Sequence, residues 1–312
     1  MKGPLFYSKI LLFGEYGIIK DSKGLSIPYN FYNGALKISE NETEVQEESN
    51  KNLRKYAAFL QKLQKEQPTL VTFDLDNFIA DLDRGMYFDS SIPQGYGVGS
   101  SGALVAAIYD KYALDKITVL ENLSREKLLS LKTIFAEMES FFHGKSSGLD
   151  PLNSYLSIPI LINSKDNIEA TGIPAQESNG KGGVFLIDSG LVGETAPMVQ
   201  IFMENMKQEG FRKMLKDKFV KHTDACVDDF LNGDVKSLFT NIKQLSNVVL
   251  DNFKPMIPKQ FHQLWKKGIE TNAYYLKLCG SGGGGYILGF TENLEKAKEA
   301  LKDHKIEVVY NF

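Results

Sequence analysis

Pro93-Gln94-Gly95-Tyr96-Gly97-Val98-Gly99-Ser100-Ser101-Gly102-Ala103 is the segment of this chain best suited to hold a phosphate. Glycines at 95, 97, 99 and 102 free the backbone for tight turning and close approach to a ligand. The apolar run Ala103 to Tyr109 that follows predicts a buried helix. A helix start presents unpaired N–H groups and the positive end of the helix dipole, which together suit an anion. The hydroxyls of Ser100 and Ser101 can add a hydrogen bond or a magnesium ligand. The segment is neither a Walker A loop nor a G-x-G-x-x-G dinucleotide fingerprint.

A second group runs from Glu139 through His143, Gly144, Ser147 and Gly148 to Asp150. Its two carboxylates can divide labour, one holding magnesium and the other facing a nucleophilic hydroxyl. Asp150 can equally cap a helix opening at Pro151. Lys9 lies in an apolar strand, where a lysine is costly to bury unless paired. Pairing with Asp150 would offset that cost and acidify a nearby hydroxyl; the alternative is a lysine facing outward.

Five of the six residues from 280 to 285 are glycine, between two strand-like segments. A hairpin needs one or two, so another backbone or a ligand is expected to come very close. Thr195 is either a ligand contact or an N-cap before Pro197. His143 reads as a partly buried turn residue, Cys226 and Cys279 as buried thiols, and Trp265 as core.

The elements that must position these groups are predicted by periodicity. Strands are expected within Leu5–Ile19 and near Asn33–Ser39, Val71–Asp76, Gly85–Ser91, Ser157–Ile162, Gly183–Gly190, Tyr275–Cys279, Tyr286–Phe290 and Ile306–Tyr310. Helices are expected around Leu53–Leu63, from Ala103, over Arg125–Phe142, through most of Met198–Asn272, and over Glu292–Asp303. The glutamate-rich stretch Glu40–Asn50 reads as a solvated loop. This is α+β in mixed order rather than regular βα alternation. A length of 312 residues suits two domains, 1–180 and 181–312.

The charge sum, 36 basic against 39 acidic residues, argues against nucleic-acid binding through overall positive charge. No apolar run is long enough for a membrane span, and the first residues lack a secretory signal. With two distant cysteines and no metal-ligand spacing among four histidines, a cytoplasmic enzyme without disulfides is expected.

In their order, from Lys9 to Gly285, these pieces resemble the GHMP kinase superfamily. Its phosphate loop, Pro-x-x-x-Gly-Leu-Gly-Ser-Ser-Ala, is similar to Pro93–Ala103, with Val98 for leucine and Gly102 for the first alanine. Its late glycine motif is similar to Lys277–Gly285. Among its members the mevalonate kinases are the most similar, through Ser8-Lys9 followed by Gly14-Glu15-Tyr16 and through Glu139, His143, Gly144, Ser147, Gly148 and Asp150. Three departures from that pattern stand out. Phe6-Tyr7-Ser8 stands for Ala-Pro-Gly, Tyr16 for a substrate-contacting histidine, and Leu104 for an aromatic residue.

The resemblance implies an N-terminal domain like ribosomal protein S5 domain 2 and a ferredoxin-like C-terminal domain, with the active site in the cleft between them. It implies ATP and Mg2+ as cofactors. Gly95, Gly97, Val98, Gly99, Ser100, Ser101 and Gly102 would bind the ATP phosphates, and Ser101 and Glu139 the metal. Asp150 and Lys9 would be the catalytic pair. Glu15, Tyr16, Thr195, Gly282 and Gly283 would join them around the substrate. The implied reaction phosphorylates a primary hydroxyl of mevalonate, with phosphomevalonate or another small alcohol as alternatives and a non-catalytic metabolite-binding protein as a remote one. A homodimer is left open, and no nucleic-acid or membrane partner is expected.

Overall fold

The computed structural model describes residues 4–40, 43–118, 123–177 and 179–312. The backbone divides into two compact units. One comprises residues 1–9, 28–93 and 99–158, the other 10–27, 94–98 and 159–312. The division is discontinuous: two strands and the glycine loop after Pro93 each begin in one unit and end in the other.

Those strands are β1 (Phe6–Phe13) and β2 (Gly24–Ile38). In the first unit the later part of β2 is followed by α1 (Glu44–Glu66), α2 (Leu75–Asp83), β3 (Met86–Ser90), α3 (Ser100–Tyr112), α4 (Arg125–His143) and α5 (Leu149–Leu156). β3 pairs antiparallel with β2, Gly34 to Ile38 opposite Ser90 to Met86. The core of this unit joins Tyr56 and Leu60 of α1 to Val105, Ile108 and Tyr109 of α3 and Leu131, Phe135 and Met138 of α4, all buried.

Two expectations fail here. The glutamate-rich stretch is helix from Glu44 onward, and Asn41 and Glu42 lie outside the described residues. Thr43 Oγ1 accepts from the Gln46 N–H while the Gln46 side chain accepts from the Thr43 N–H, a reciprocal capping box. Glu44 and Glu47 then sit in the first turn, where negative charge complements the dipole. The expected strand Val71–Asp76 contributes one bridge, Phe73 to Ala113. Asp74 instead caps α2 by accepting from the Asn77 N–H at 3.1 Å, so a helix start wins over alternation.

In the second unit come β4 (Ile160–Ser164), β5 (Asn167–Ala170), β6 (Gly183–Asp188), α6 (Thr195–Asn205) and α7 (Glu209–Met214). A π-helical turn, Leu215–Val220, carries α7 into α8 (Lys221–Asn232). Then follow α9 (Val235–Asn252), α10 (His262–Thr271), β7 (Tyr275–Leu278), β8 (Tyr286–Thr291), α11 (Leu294–Ala300) and β9 (Ile306–Asn311). β4 pairs with the early part of β2 and with β5. The antiparallel sheet order β7-β8-β6-β9, with helices after β6 and β8, is the expected ferredoxin-like arrangement. Trp265 is fully buried as expected and donates its indole N–H to Ser246 Oγ at 2.8 Å. Both cysteines are buried, also as expected. Among the described residues no helix is long and apolar enough to cross a membrane.

Candidate active site

In the first unit, Lys9 is carried by β1 with its side chain 5% exposed. Its Nζ lies 3.0 Å from Asp150 Oδ1, and the aspartate side chain is 37% exposed. The buried lysine thus has its counter-charge, and the carboxylate keeps an open side. Asp150 is the second residue of α5, whose N-cap is Gly148, so it does not cap that helix. Its charge stands in the first turn, at the positive end of the α5 dipole.

Two glycines of the loop after Pro93 allow this placement. Gly99, at φ +83°, packs on the Lys9 methylenes, 3.1 Å from Cγ to where a Cβ would stand. A Cβ on Gly102 would lie 2.7 Å from the Asp150 carbonyl carbon and from Pro151 N. Glycine at 102 therefore lets α3 lie against the first turn of α5. Gly99 is also the N-cap of α3 and supplies no side-chain cap, so the N–H groups of Ser100, Ser101 and Gly102 point out of the helix start.

Glu139, buried in α4, accepts from Ser101 Oγ at 2.9 Å through Oε1 and from Ser146 Oγ at 2.5 Å through Oε2. Burial, and then the negative charge of Asp150, push its carboxyl up to about 7; the two serine bonds and Lys9 pull the other way. His143, one turn further along α4, has Nε2 3.1 Å from Ser101 Oγ. It is exposed at the helix end, not a partly buried turn residue. Ser146 is a contact that sequence reasoning missed; only its place beside Ser147 could have flagged it.

Glu139 and Ser101 are hard oxygen donors of the kind magnesium takes, brought to hydrogen-bond distance of each other. Among the described residues no group of three or more His, Cys, Asp or Glu could hold a metal unaided. Magnesium bound through one carboxylate and substrate phosphates needs no such group, so the residues fit it.

The second unit holds the other expected residues. Glu15 is buried, and its Oε1 lies 2.5 Å from Lys277 Nζ, both side chains at most 5% exposed. Lys277 escaped sequence reasoning, although it lies in the apolar strand β7 just as Lys9 lies in β1. Tyr16 is buried, with its ring stacked on Phe202 at 4.7 Å and its hydroxyl donating to the Ser281 carbonyl at 2.6 Å. Thr195 is exposed at the first position of α6 and accepts from Ser281 Oγ at 3.3 Å. The N-cap of α6 is Glu194, so Thr195 is not the cap.

The glycines here answer the choice between a backbone and a ligand: another backbone comes close. A Cβ on Gly97 would lie 2.5 Å from the Cys279 carbonyl oxygen, one on Gly285 2.5 Å from Tyr96 Cα, and one on Gly284 2.8 Å from Gly193 N. Gly193 N–H donates to Gly95 O at 2.9 Å, and Gly285 N–H to Leu191 O at 2.6 Å. Gly282 and Gly283, both at positive φ, face Met256 and Met198. Val98 is buried.

Residues 56–157 match the model of the GHMP kinases N terminal domain. No curated protein matches the chain by sequence. Among solved structures, the L. major mevalonate kinase in complex with R-mevalonate is 17% identical, with a TM-score of 0.64 over 100% of this chain and 99% of that one. The Methanococcus jannaschii mevalonate kinase is 19% identical, with a TM-score of 0.60 over 99% and 98%. The Streptococcus pneumoniae phosphomevalonate kinase in complex with phosphomevalonate and AMPPNP is 13% identical, with a TM-score of 0.63 over 99% and 98%.

Proposed function

We propose that this chain, which has the GHMP kinase fold and carries a GHMP kinase N-terminal domain at residues 56–157, is an ATP-dependent kinase that phosphorylates the primary hydroxyl of mevalonate. The observation that carries the reading is the Lys9–Asp150 pair: a buried ammonium facing a carboxylate that remains open on one side. Asp150 accepts the hydrogen bond of the acceptor hydroxyl and orients its oxygen toward the γ-phosphate. Lys9 holds the carboxylate in place and lowers the cost of negative charge on the acceptor oxygen. The amides at the start of α3 bind phosphate oxygens. Positioning and charge stabilisation supply most of the acceleration in phosphoryl transfer. Ser101 and Glu139 would hold magnesium, which when bound neutralises charge on the phosphates.

Mevalonate is favoured as acceptor by the match from Glu139 to Asp150 and by the likeness to mevalonate kinases along the whole chain. The similar likeness to a phosphomevalonate kinase keeps the phosphorylated acceptor as the second reading. A metabolite-binding protein without activity would not require the intact Lys9–Asp150 pair. The test is ADP release by the purified chain with ATP and Mg2+ against mevalonate, phosphomevalonate, galactose and homoserine. Mevalonate is expected to give the highest kcat/KM. No acceptor-dependent ADP release would overturn the kinase reading, and a preference for phosphomevalonate would replace the substrate.

A further inference from the structure

We infer that Ser146 is a positioning residue that sets which divalent cation the chain accepts, by leaving Glu139 one oxygen to offer instead of two; this deepens the kinase reading above and rests on it. Glu139 Oε1 faces Ser101 Oγ at 2.9 Å, and Oε2 faces Ser146 Oγ at 2.5 Å. The direction of the second bond follows from the loop. Gly148 N–H can only donate, and it reaches Ser146 Oγ at 3.0 Å. The Ser146 hydroxyl therefore accepts from the loop and spends its one hydrogen on Oε2.

Backbone packing fixes that donor relative to its acceptor. Gly148, at φ +73°, is the N-cap of α5 and lies directly on α4. A Cβ there would run into the Lys132 carbonyl oxygen and stand 2.7 Å from Ala136 N. The loop carrying Ser146 is thus seated on the same helix that carries Glu139, three residues before it. Lys132, Ala136, Glu139, Ser146, Gly148 and Ser101 all belong to the first unit.

A carboxylate gives a cation one oxygen or both. Magnesium is small, demands near-octahedral geometry and is served by a single oxygen beside water and phosphate ligands. Calcium is larger, takes more oxygens and gains from a carboxylate that offers two. With Oε2 held by Ser146, the oxygen left open is Oε1, on the Ser101 side. Ser101 Oγ also has His143 Nε2 at 3.1 Å, a ring nitrogen that accepts in one neutral tautomer, so its hydrogen has another place to go. The arrangement meets what magnesium asks of a carboxylate and withholds the second oxygen from calcium.

The experiment is displacement of Mn2+ by Mg2+ and by Ca2+ from the full chain with AMPPNP, read by electron paramagnetic resonance. The chain is in excess, so that the nucleotide is protein-bound, and thermal unfolding is followed alongside. The variants are Ser146→Ala and the pair Ser146→Thr and Ser146→Val, which match in size and differ in the hydroxyl. In Ser146→Ala and Ser146→Val the ratio of half-displacing Ca2+ to Mg2+ concentrations is expected to fall about fivefold, the size of one lost hydrogen bond. In Ser146→Thr it is expected to stay within about twofold of the unmodified chain. An unchanged ratio in a folded variant without the hydroxyl overturns the role. So does equal weakening of both cations, or unfolding of both hydroxyl-free variants, which is what a merely structural serine would give. Glu139→Gln tests the underlying reading separately. It is expected to lose most of the protein-held Mn2+, and undiminished Mn2+ binding there would overturn the metal assignment and the role of Ser146 with it.

Discussion

The chain contains two lysine–carboxylate pairs of the same chemistry and opposite exposure. Lys277–Glu15 is closed on both sides, at 2.5 Å, with 3% and 5% of the side chains exposed. Lys9–Asp150 is longer, at 3.0 Å, and its carboxylate is 37% exposed. A sealed pair can only hold elements in register, because no third molecule reaches its charges. A pair with one open face can lend its carboxylate to a hydroxyl while the lysine balances the charge. The two pairs therefore differ in whether a third group can reach the carboxylate.

Asp150→Asn tests the open pair most severely. Turnover should fall about 10²–10⁴-fold, as on loss of a general acid–base group, with a smaller loss of thermal stability because the buried Lys9 ammonium then faces an uncharged amide. Near-normal turnover in a stable variant would make this pair structural too.

Lys277→Met tests the sealed pair. It removes the ammonium facing the buried Glu15 and should cost about 3–5 kcal/mol in denaturant unfolding, most of it recovered in Glu15→Leu/Lys277→Met. Lys9→Met should cost less stability, because Asp150 still reaches water, and far more turnover. Equal stability losses would erase the distinction.

Gly102→Ala sharpens the comparison from the side of packing. A Cβ 2.7 Å from the Asp150 backbone must push the first turn of α5 away. A loss of about 1–3 kcal/mol is expected, together with a fall in turnover. A stability loss without a rate loss would show that the carboxylate tolerates displacement.

The smallest effect concerns Glu139, raised in the fold from an ordinary 4.5 to about 7. Its protonated form is favoured by folding, so this stabilisation is complete below about pH 4.5 and lost as pH rises through about 7. Thermal unfolding with chelator present should show a stability decline over that window which Glu139→Gln lacks.

The sequence disclosed most where a local pattern marked both partners of an interaction. Lys9 was legible because a lysine among Ile10, Leu11 and Leu12 demands a partner, and Asp150 stood in a suitable turn. Lys277 carries the same mark between Leu276 and Leu278, but its partner lies 262 residues away, with nothing local to point to it. The capping box of α1 was present as Thr43 and Gln46 yet hidden by the density of glutamates, which read as solvent-exposed loop. The glycine run announced a close approach and left the neighbour open, since backbone carries no side-chain signature. Gly102 in place of alanine is intelligible only once α5 is seen against it.

That glycine run bears on how such a chain can drift. Residues 95–97, 191–193 and 279–285 touch through main-chain atoms, so a side chain added at Gly95, Gly97, Gly193, Gly284 or Gly285 intrudes on a neighbouring segment. They are far apart in sequence yet must vary as a set. A hybrid that borrows the phosphate loop of a distant relative would inherit a mismatch unless the two companion segments travelled with it.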